Sequence, residues 1–213
     1  MLATKGMRFP IDVILVCIRW YMAYPLSYRH LEEIMQERGV FVDHSSINRG
    51  AIRFLPLLEK VFRKHKRAVG GSWRMDETYI KVKGAWKYLY RAVDKEGKTV
   101  DFLLTARRYK AAALPFFDKA MKASGVPEKV TLDKSGANKA AMDEINARGE
   151  TPVIVRQVKY LNNIVEQAHR AIKRVTRPML NFKSFRAARN VLAGIELMHM
   201  IRKGIPLHTS FAD

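Results

Sequence analysis

The sequence predicts an α/β protein in which an all-helical N-terminal domain precedes a domain with a mixed β-sheet. Up to about residue 67 the apolar residues recur with the period of a helix, whereas runs rich in aromatic and β-branched residues begin at residue 73 and indicate strands. Between the two regions, the glycine-containing stretch 68–72 follows a basic run and is typical of a linker. We therefore predict two domains, at 1–67 and 68–213.

Three helices are predicted in the first domain, at 10–23, 27–38 and 44–65. Asp43 is the expected N-cap of the third helix, and Gly39 lies in the turn before it. Two helices joined by a short glycine-containing turn are typical of a helix-turn-helix, whose second helix enters the major groove of DNA. A three-helix bundle with a solvated basic face is the alternative. The candidate DNA contacts open the third helix: His44, Ser45, Ser46, Asn48 and Arg49.

The second domain begins with three predicted strands, at 73–82, 86–93 and 99–105, and a turn at 94–97 joins the last two. Helices and strands then alternate along the chain. The predicted order is a helix at 110–123, a strand at 129–133, a helix at 137–147, a strand at 153–158, and helices at 162–176 and 184–203. The order βββαβαβα with a mixed sheet is that of the ribonuclease-H-like fold.

The composition predicts a polyanionic partner. The chain has 39 Lys and Arg against 20 Asp and Glu, a formal charge of +19, which favours nucleic acid over an anionic membrane surface. The apolar run at 11–24 is interrupted by Asp12 and Arg19 and is too short for a membrane span, so we expect a buried helix and no membrane partner. Cys17 is the only cysteine, which excludes an internal disulfide and a cysteine zinc cluster and favours a cytoplasmic protein.

Three acidic residues stand where the predicted fold brings separate elements together. Asp76 lies within the first strand, Asp133 ends the fourth, and Glu166 sits in the helix after the fifth. The first and fourth strands are neighbours in a ribonuclease-H-like sheet, so these carboxylates can converge. Such a set is suited to hold two Mg²⁺ ions, or Mn²⁺ in their place, for phosphodiester chemistry. Taken singly, an Asp at a strand end is more often a cap or turn residue than a metal ligand, but this explanation fits Asp76 less well because Asp is disfavoured inside a strand.

The other acids near these positions are set aside on geometric grounds. Glu77 points to the face of its strand opposite to Asp76, which makes it a supporting or solvated residue. The remaining ones lie in a hairpin turn or on an exposed helix: Asp94, Glu96, Asp143 and Glu144.

The helix that contains Glu166 has two distinct faces. At about 100° per residue, three basic side chains fall near Glu166, and they are Arg170, Lys173 and Arg177. The opposite face is apolar: Ile164, Ala168, Ala171, Ile172 and Val175. The basic face predicts a phosphate-binding track, and a solvated helix with Glu–Arg pairs is the alternative. His169 lies beside this face, where it could donate to a phosphate, move a proton or have a structural role alone.

Motifs spread over nearly the whole chain give a family resemblance. They are SYR and LEE within 27–33, ERGV at 37–40, VDH at 42–44, WRMDETYIKV at 73–82, YLYRAVD at 88–94, DKSGAN at 133–138, KYLNN at 159–163 and TRPML at 176–180. In these motifs the chain resembles the DDE transposases of the insertion-sequence-six family, the group around insertion sequence twenty-six.

The resemblance implies a DNA transposase with Asp76, Asp133 and Glu166 as catalytic acids and Mg²⁺ ligands, and with Lys173 as the accompanying base. It also implies recognition of terminal inverted repeats, joining of the element ends to target DNA, and cointegrate formation. We expect a homodimer or higher oligomer, associated with the bacterial nucleoid. A nuclease or resolvase that cuts without joining is one alternative. A catalytically inactive helix-turn-helix DNA-binding protein is the other.

The chain departs from the family pattern at two places. Ala168 stands where the family usually has Asp, but it falls on the apolar back of its helix, so we expect no loss of a metal ligand. Residues 48–50 read Asn-Arg-Gly where the family usually has Tyr-Arg-Trp. Gly50 is expected to cost roughly 1 kcal/mol within a helix, which predicts an altered DNA-binding domain.

Overall fold

The computed structural model of the protein describes residues 8–66, 68–106, 108, 110–133, 136–149, 151–158, 162–179 and 182–202. Residue 67, at the predicted domain boundary, lies outside this part of the chain, as do residues 134–135 and 159–161 of two motifs. The chain divides into two compact units, Met1–Lys66 with Ile172–Asp213, and Arg67–Ala171. The prediction had assigned residues 172–213 to the second domain, 68–213, whereas the structure groups them with the N-terminal helices. Helix periodicity identifies an apolar face but does not say which elements will cover it.

The helical unit is built from α1 (Ile11–Ala23), α2 (Tyr28–Gln36), α3 (His44–Lys64) and α7 (Phe185–Arg202), and α7 packs against α1 and α3. As predicted, the apolar residues of α1 form a buried face, which includes Ile14, Cys17 and Met22. None of the helices in the described part of the chain is long and apolar enough to cross a bilayer.

Both α2 and α3 begin at polar caps. The Ser27 hydroxyl accepts from the backbone N–H of His30, whose side chain accepts from the backbone N–H of Ser27. Asp43 is the N-cap of α3, as predicted, and its carboxylate accepts from the backbone N–H of Ser46 at 2.8 Å. Gly39 ends α2 with a φ of +73°, a conformation that glycine adopts without strain. The connection between α2 and α3 covers residues 37–43, which is longer than the turn of about three or four residues usual in a helix-turn-helix.

Gly50 has a packing role that the sequence did not reveal. A Cβ at this position would lie 2.3 Å from Cγ2 of Ile14, so the absence of a side chain lets α1 and α3 approach each other closely. Gly194 likewise lets α7 approach α1 and α3, since a Cβ at this position would lie 2.4 Å from Sδ of Met22 and 2.6 Å from Cδ2 of Leu55. Glycine at position 50 is therefore matched to its surroundings in this chain.

The second unit contains one sheet formed by β1 (Ser72–Val82), β2 (Ala85–Asp94), β3 (Thr99–Thr105), β4 (Lys129–Leu132) and β5 (Ile154–Gln157). The helices of this part of the chain are α4 (Lys110–Ser124), α5 (Gly136–Arg148) and α6 (Asn163–Thr176), the last of which continues past the unit boundary. The strand order is β3-β2-β1-β4-β5, with β1, β2 and β3 antiparallel and β4 and β5 parallel to β1. This mixed sheet confirms the predicted ribonuclease-H-like fold class.

The two faces of β1 separate the core of this unit from Asp76. Trp73 and Met75 are buried on one face, in a cluster with Phe116 and Phe117 of α4 and Met142 of α5. Side chains alternate along a strand, so Asp76 projects from the other face. The alternation that builds the core therefore also directs the first candidate acid away from it.

Candidate active site

The sheet register brings Asp76 and Asp133 to the same level. The parallel strands β1 and β4 pair Ser72 with Lys129 and Arg74 with Thr131. Asp76 and Asp133 each lie two residues further along, Asp76 within β1 and Asp133 immediately after β4. Glu166 lies in the first turn of α6. The three acids predicted from the sequence thus come from two neighbouring strands and one helix.

The neighbouring acids act on the charge of Asp76. The pKa of Asp76 is raised to about 6, most of all by burial and also by the negative charges of Asp133, Glu77 and Glu166, against a backbone hydrogen bond from Glu77 that lowers it. Its side chain is 18% exposed. The fold therefore maintains an aspartate whose charge is opposed both by burial and by neighbouring carboxylates.

His169 lies beside Asp76. It follows Glu166 by three residues on α6, is buried, and places Nε2 at 3.7 Å from Oδ2 of Asp76. The sequence left its role open between chemistry and structure. The spacing of three residues from Glu166, together with a position beside the apolar face, is the signal that could have placed it in the site.

Glu77 lies on the other side of β1 and is not solvated. Its side chain is only 4% exposed and forms an ion pair with Arg108. Nδ2 of the buried Asn138 lies 3.4 Å from Oε2 of Glu77 and 3.4 Å from Oδ1 of Asp133, and both carboxylates stabilise the Arg108 guanidinium. The prediction of a supporting residue is confirmed and its solvated alternative is wrong. Sequence reasoning missed Asn138 and Arg108 because neither is near Glu77 in the chain.

The start of α6 is tied directly to β1. Asn162, which immediately precedes α6 and is buried, has its Nδ2 at 3.4 Å from the carbonyl oxygen of Met75, the residue before Asp76. This contact fixes the first turn of the helix, and with it Glu166, beside the strand that contains Asp76.

The acids do not form a finished coordination sphere. Within the described ranges, no three acidic, histidine or cysteine side chains are close enough together to hold a metal ion as they stand. Carboxylate oxygens are the donor type that hard divalent cations prefer, so the residues present fit such an ion.

Comparison with known proteins identifies the family. The DDE domain family of the IS240 type matches residues 70–205. The transposase for the insertion sequence-like element IS431mec of Staphylococcus aureus is 42% identical over 198 residues, which cover 92% of this chain and 87% of the relative. The transposase for insertion sequence element IS257 in transposon Tn4003, also of Staphylococcus aureus, is 41% identical over the same shares of both chains. The chain belongs to the insertion-sequence-six family of DDE transposases.

Among solved structures, the catalytic core domain of the HTLV-2 integrase in complex with magnesium, in its dimeric form, is 15% identical to this transposase. The match covers 60% of this chain and 85% of the integrase chain, with a TM-score of 0.47. The ribonuclease-H-like fold of the transposase follows from its own strand order, independently of that likeness.

Three residues of the predicted apolar face of α6 are buried in the transposase: Ala168, Ile172 and Val175. Ile164 and Ala171 are half-buried, and Val165, which was not predicted, is buried. The departure from the family at Ala168 therefore removes no side chain from the acid cluster. On the basic side of α6, Arg170 is exposed and Lys173 is half-buried. Arg177 is exposed but begins a short 3-10 turn, Arg177–Met179, after α6 has ended. Its direction is therefore not set by the periodicity of the helix.

The candidate DNA contacts at the start of α3 are of two kinds. Ser45 and Arg49 are exposed and Asn48 is half-buried. Ser46 is buried, donates from its hydroxyl to Asp43 and accepts from Arg49 Nη2, each at 2.8 Å. Nδ1 of His44 lies 2.7 Å from Oε2 of Glu32, which also accepts from the backbone N–H of His44. Ser46 and His44 therefore take part in the internal structure of the helical unit.

Proposed function

We propose that the transposase cleaves the ends of its insertion sequence and joins them to target DNA at a site formed by Asp76, Asp133 and Glu166. The observation that supports this proposal is the convergence of the three carboxylates on one buried, electrostatically strained aspartate. Perturbed acids on separate elements of one fold are typical of a site built for chemistry rather than for stability.

These three acids would hold two Mg²⁺ ions, for which Mn²⁺ can substitute, because hard divalent cations prefer carboxylate oxygens. When bound, the ions supply activation of the attacking oxygen and stabilisation of the leaving oxygen in phosphoryl transfer. The protein supplies the negative charge and its placement. His169, whose Nε2 lies 3.7 Å from Asp76, and Asn138, whose Nδ2 lies 3.4 Å from Asp133, would help to position these two carboxylates.

The basic residues near Glu166 would hold the DNA backbone. Lys173 is proposed as the accompanying base of the DDE set, and Arg170 and Arg177 as phosphate contacts. Each is a cation on or just after the helix that carries Glu166. Phosphate contacts of this kind fix the register of the substrate without reading its sequence.

We propose that the helical unit recognises the terminal inverted repeats through the first turns of α3. Ser45, Asn48 and Arg49 have side chains available to DNA. His44 would contribute at the helix start, while Ser46 holds the Arg49 guanidinium in place. Cointegrate formation requires two element ends and a target in one complex, so we propose a homodimer or higher oligomer that acts on the nucleoid.

The test is an assay with a labelled element end, a target plasmid and Mg²⁺ or Mn²⁺. Because the ions need negative charge as well as oxygen atoms, Asp76→Asn, Asp133→Asn and Glu166→Gln should each lower both cleavage and joining by about a hundredfold to a thousandfold, the range found when one essential polar group is removed from an active site. End binding and the fold should be retained. Asp143→Asn, which changes an acid of α5 that is paired with Lys139 on the surface, is the matched control and should keep full activity.

The same assay separates the transposase from an enzyme that only cuts. Joined products that depend on all three acids support the proposal. Strand transfer retained by any one of the three variants would remove that residue from the site. Cleavage without joining by the wild type would favour a nuclease or resolvase.

A further inference from the structure

The end of the β1–β2 hairpin presents an exposed aromatic surface. Tyr79, Lys81, Trp86 and Tyr88 share one face of the two strands, and they are called here the aromatic hairpin surface. Trp86 is 60% exposed and Tyr79 is 42% exposed. Trp73 of β1 and Tyr90 of β2 are buried, whereas Trp86 lies open.

This surface is preorganised by the register of the sheet. Tyr79 lies directly opposite Tyr88, and Lys81 directly opposite Trp86. The rings of Tyr79 and Tyr88 pack edge to face at 5.4 Å, those of Tyr79 and Trp86 do so at 6.4 Å, and Nζ of Lys81 lies 5.8 Å from the Trp86 ring. The strands are joined by Lys83 and Gly84, with φ values of +50° and +77°, a tight turn that matches the strand twist.

The charge of the hairpin is entirely positive around these rings. Residues 78–93 contain no Asp or Glu, and Lys81, Lys83 and Lys87 lie at its outer end. A second copy of this chain, with the same lysines and a net charge of +19, would be repelled from such a surface. A polyanion with flat apolar groups matches both the charge and the rings.

The surface continues the face of β1 that carries Glu77. Tyr79 is two residues after Glu77 on this face, a distance of about 7 Å along the strand, and the Arg108 guanidinium is influenced by both Glu77 and Tyr79. Asp76 projects from the opposite face, so a nucleic acid strand on the hairpin would lie on the Glu77 side of β1.

We propose that the aromatic hairpin surface binds a DNA strand with unpaired bases, which stack on Trp86 while Lys81 and Lys83 contact its phosphates. Base–aromatic stacking tolerates any sequence, and it requires bases that are not already stacked in a duplex. The proposal deepens the proposed function, on which it rests, because cleavage and joining of DNA ends produce such strands.

Tryptophan fluorescence of the full chain tests the stacking directly. Titration with a short oligothymidylate, in buffer without divalent metal, should quench the emission of the wild type. Trp73 is buried and Trp20 is half-buried, so Trp86→Phe should abolish most of the quenching. Trp86→Ala should weaken binding roughly 5- to 100-fold, which corresponds to the loss of one stacked base. Ile154→Ala removes another exposed apolar side chain of the same sheet and should leave binding unchanged.

The lysines are tested by the salt dependence of the same binding. Lys81→Gln and Lys83→Gln should each lower the slope of log K against log salt by about 0.7, the value for one phosphate contact on a single strand. Lys95→Gln removes the same charge from the other hairpin turn of the sheet and should leave the slope as it is.

The proposal would be overturned if Trp86→Ala bound the oligonucleotide with unchanged affinity and Trp86→Phe were quenched as strongly as the wild type. So would a fall in oligomer mass of Trp86→Ala in sedimentation with DNA binding unchanged, since it would assign the surface to a contact between copies. Asp76→Asn should bind the oligonucleotide like the wild type. If that variant still joined DNA, the acid site would fail while the hairpin result stood, so the two failures are distinguishable.

Discussion

Two buried aspartates of the sheet differ in how their charge is compensated. Asp94, at the end of β2, is 1% exposed and accepts hydrogen bonds from the backbone N–H groups of Gly70, Glu96 and Lys98 at 3.1, 2.9 and 2.9 Å. Asp76 is also largely buried, but the groups around it include three further carboxylates that raise its pKa. A buried carboxylate whose charge is compensated by hydrogen bonds, such as Asp94, stabilises a turn. A buried carboxylate surrounded by other acids, such as Asp76, is typical of a site that binds a cation.

The largest effect on stability is expected at Asp94. Asp94→Ala leaves three backbone donors without their acceptor, and we expect it to lower the free energy of unfolding by about 2–4 kcal/mol. Urea denaturation measures this loss. Glu96→Ala, in the same turn but on the surface, should leave the midpoint unchanged. Equal midpoints for Asp94→Ala and the wild type would contradict the claim that the Asp94 carboxylate stabilises the fold.

At Asp76 a substitution should raise the free energy of unfolding rather than lower it. Asp76→Asn removes a carboxylate whose folded-state pKa is raised from 3.8 to about 6, so without metal it should stabilise the protein by about 3 kcal/mol near pH 7. The charge penalty is absent below pH 3.8, builds up between 3.8 and about 6, and is complete above that range. The gain of the variant should therefore vanish as the pH falls towards 4. A variant less stable than the wild type near pH 7 would contradict the comparison.

Glu77 is the intermediate case, because its buried carboxylate has a cationic partner in Arg108. Glu77→Gln weakens this ion pair, and we expect a loss of about 1–2 kcal/mol, of opposite sign to the effect of Asp76→Asn. Parallel urea titrations of the two variants make the comparison. If Glu77→Gln were as stabilising as Asp76→Asn, Glu77 would belong with the uncompensated acids.

The smallest effect concerns the cations that face DNA. Lys173→Gln should weaken binding to all duplexes and lower the salt slope by nearly one unit, without affecting stability. Lys139→Gln, which removes a lysine paired with Asp143, is the control and should leave the slope unchanged. An unchanged slope for Lys173→Gln would make this side of α6 a solvated surface.

The spacing of apolar residues predicted the helices and strands well, because this spacing follows directly from the geometry of each element. Each predicted helix and strand lies within two residues of the observed one over the described ranges, and alternation along β1 placed Asp76 and Glu77 on opposite faces. The parallel pairing that brings Asp133 to the level of Asp76 followed from the order of the elements. Two of the candidate acids could therefore be brought together from the sequence alone.

What the sequence did not reveal depends on contacts between distant segments. The burial of Glu77 depends on Arg108, which precedes α4, and on Asn138 of α5. The fit of Gly50 depends on Ile14 of another helix. The packing of α7 against α1 and α3 depends on which apolar helix faces no other element buries. None of these contacts has a periodic signature along the chain.

The central claim, that the uncompensated acids bind divalent metal, is tested most directly by the effect of Mn²⁺ on unfolding. A ligand present at ten times its Kd stabilises the folded state by about 1.4 kcal/mol. We expect a gain of this size for the wild type and for Asp143→Asn, and no gain for Asp76→Asn or Asp133→Asn. The same gain in Asp76→Asn as in the wild type would show that the ion binds elsewhere and would contradict the assignment of the site.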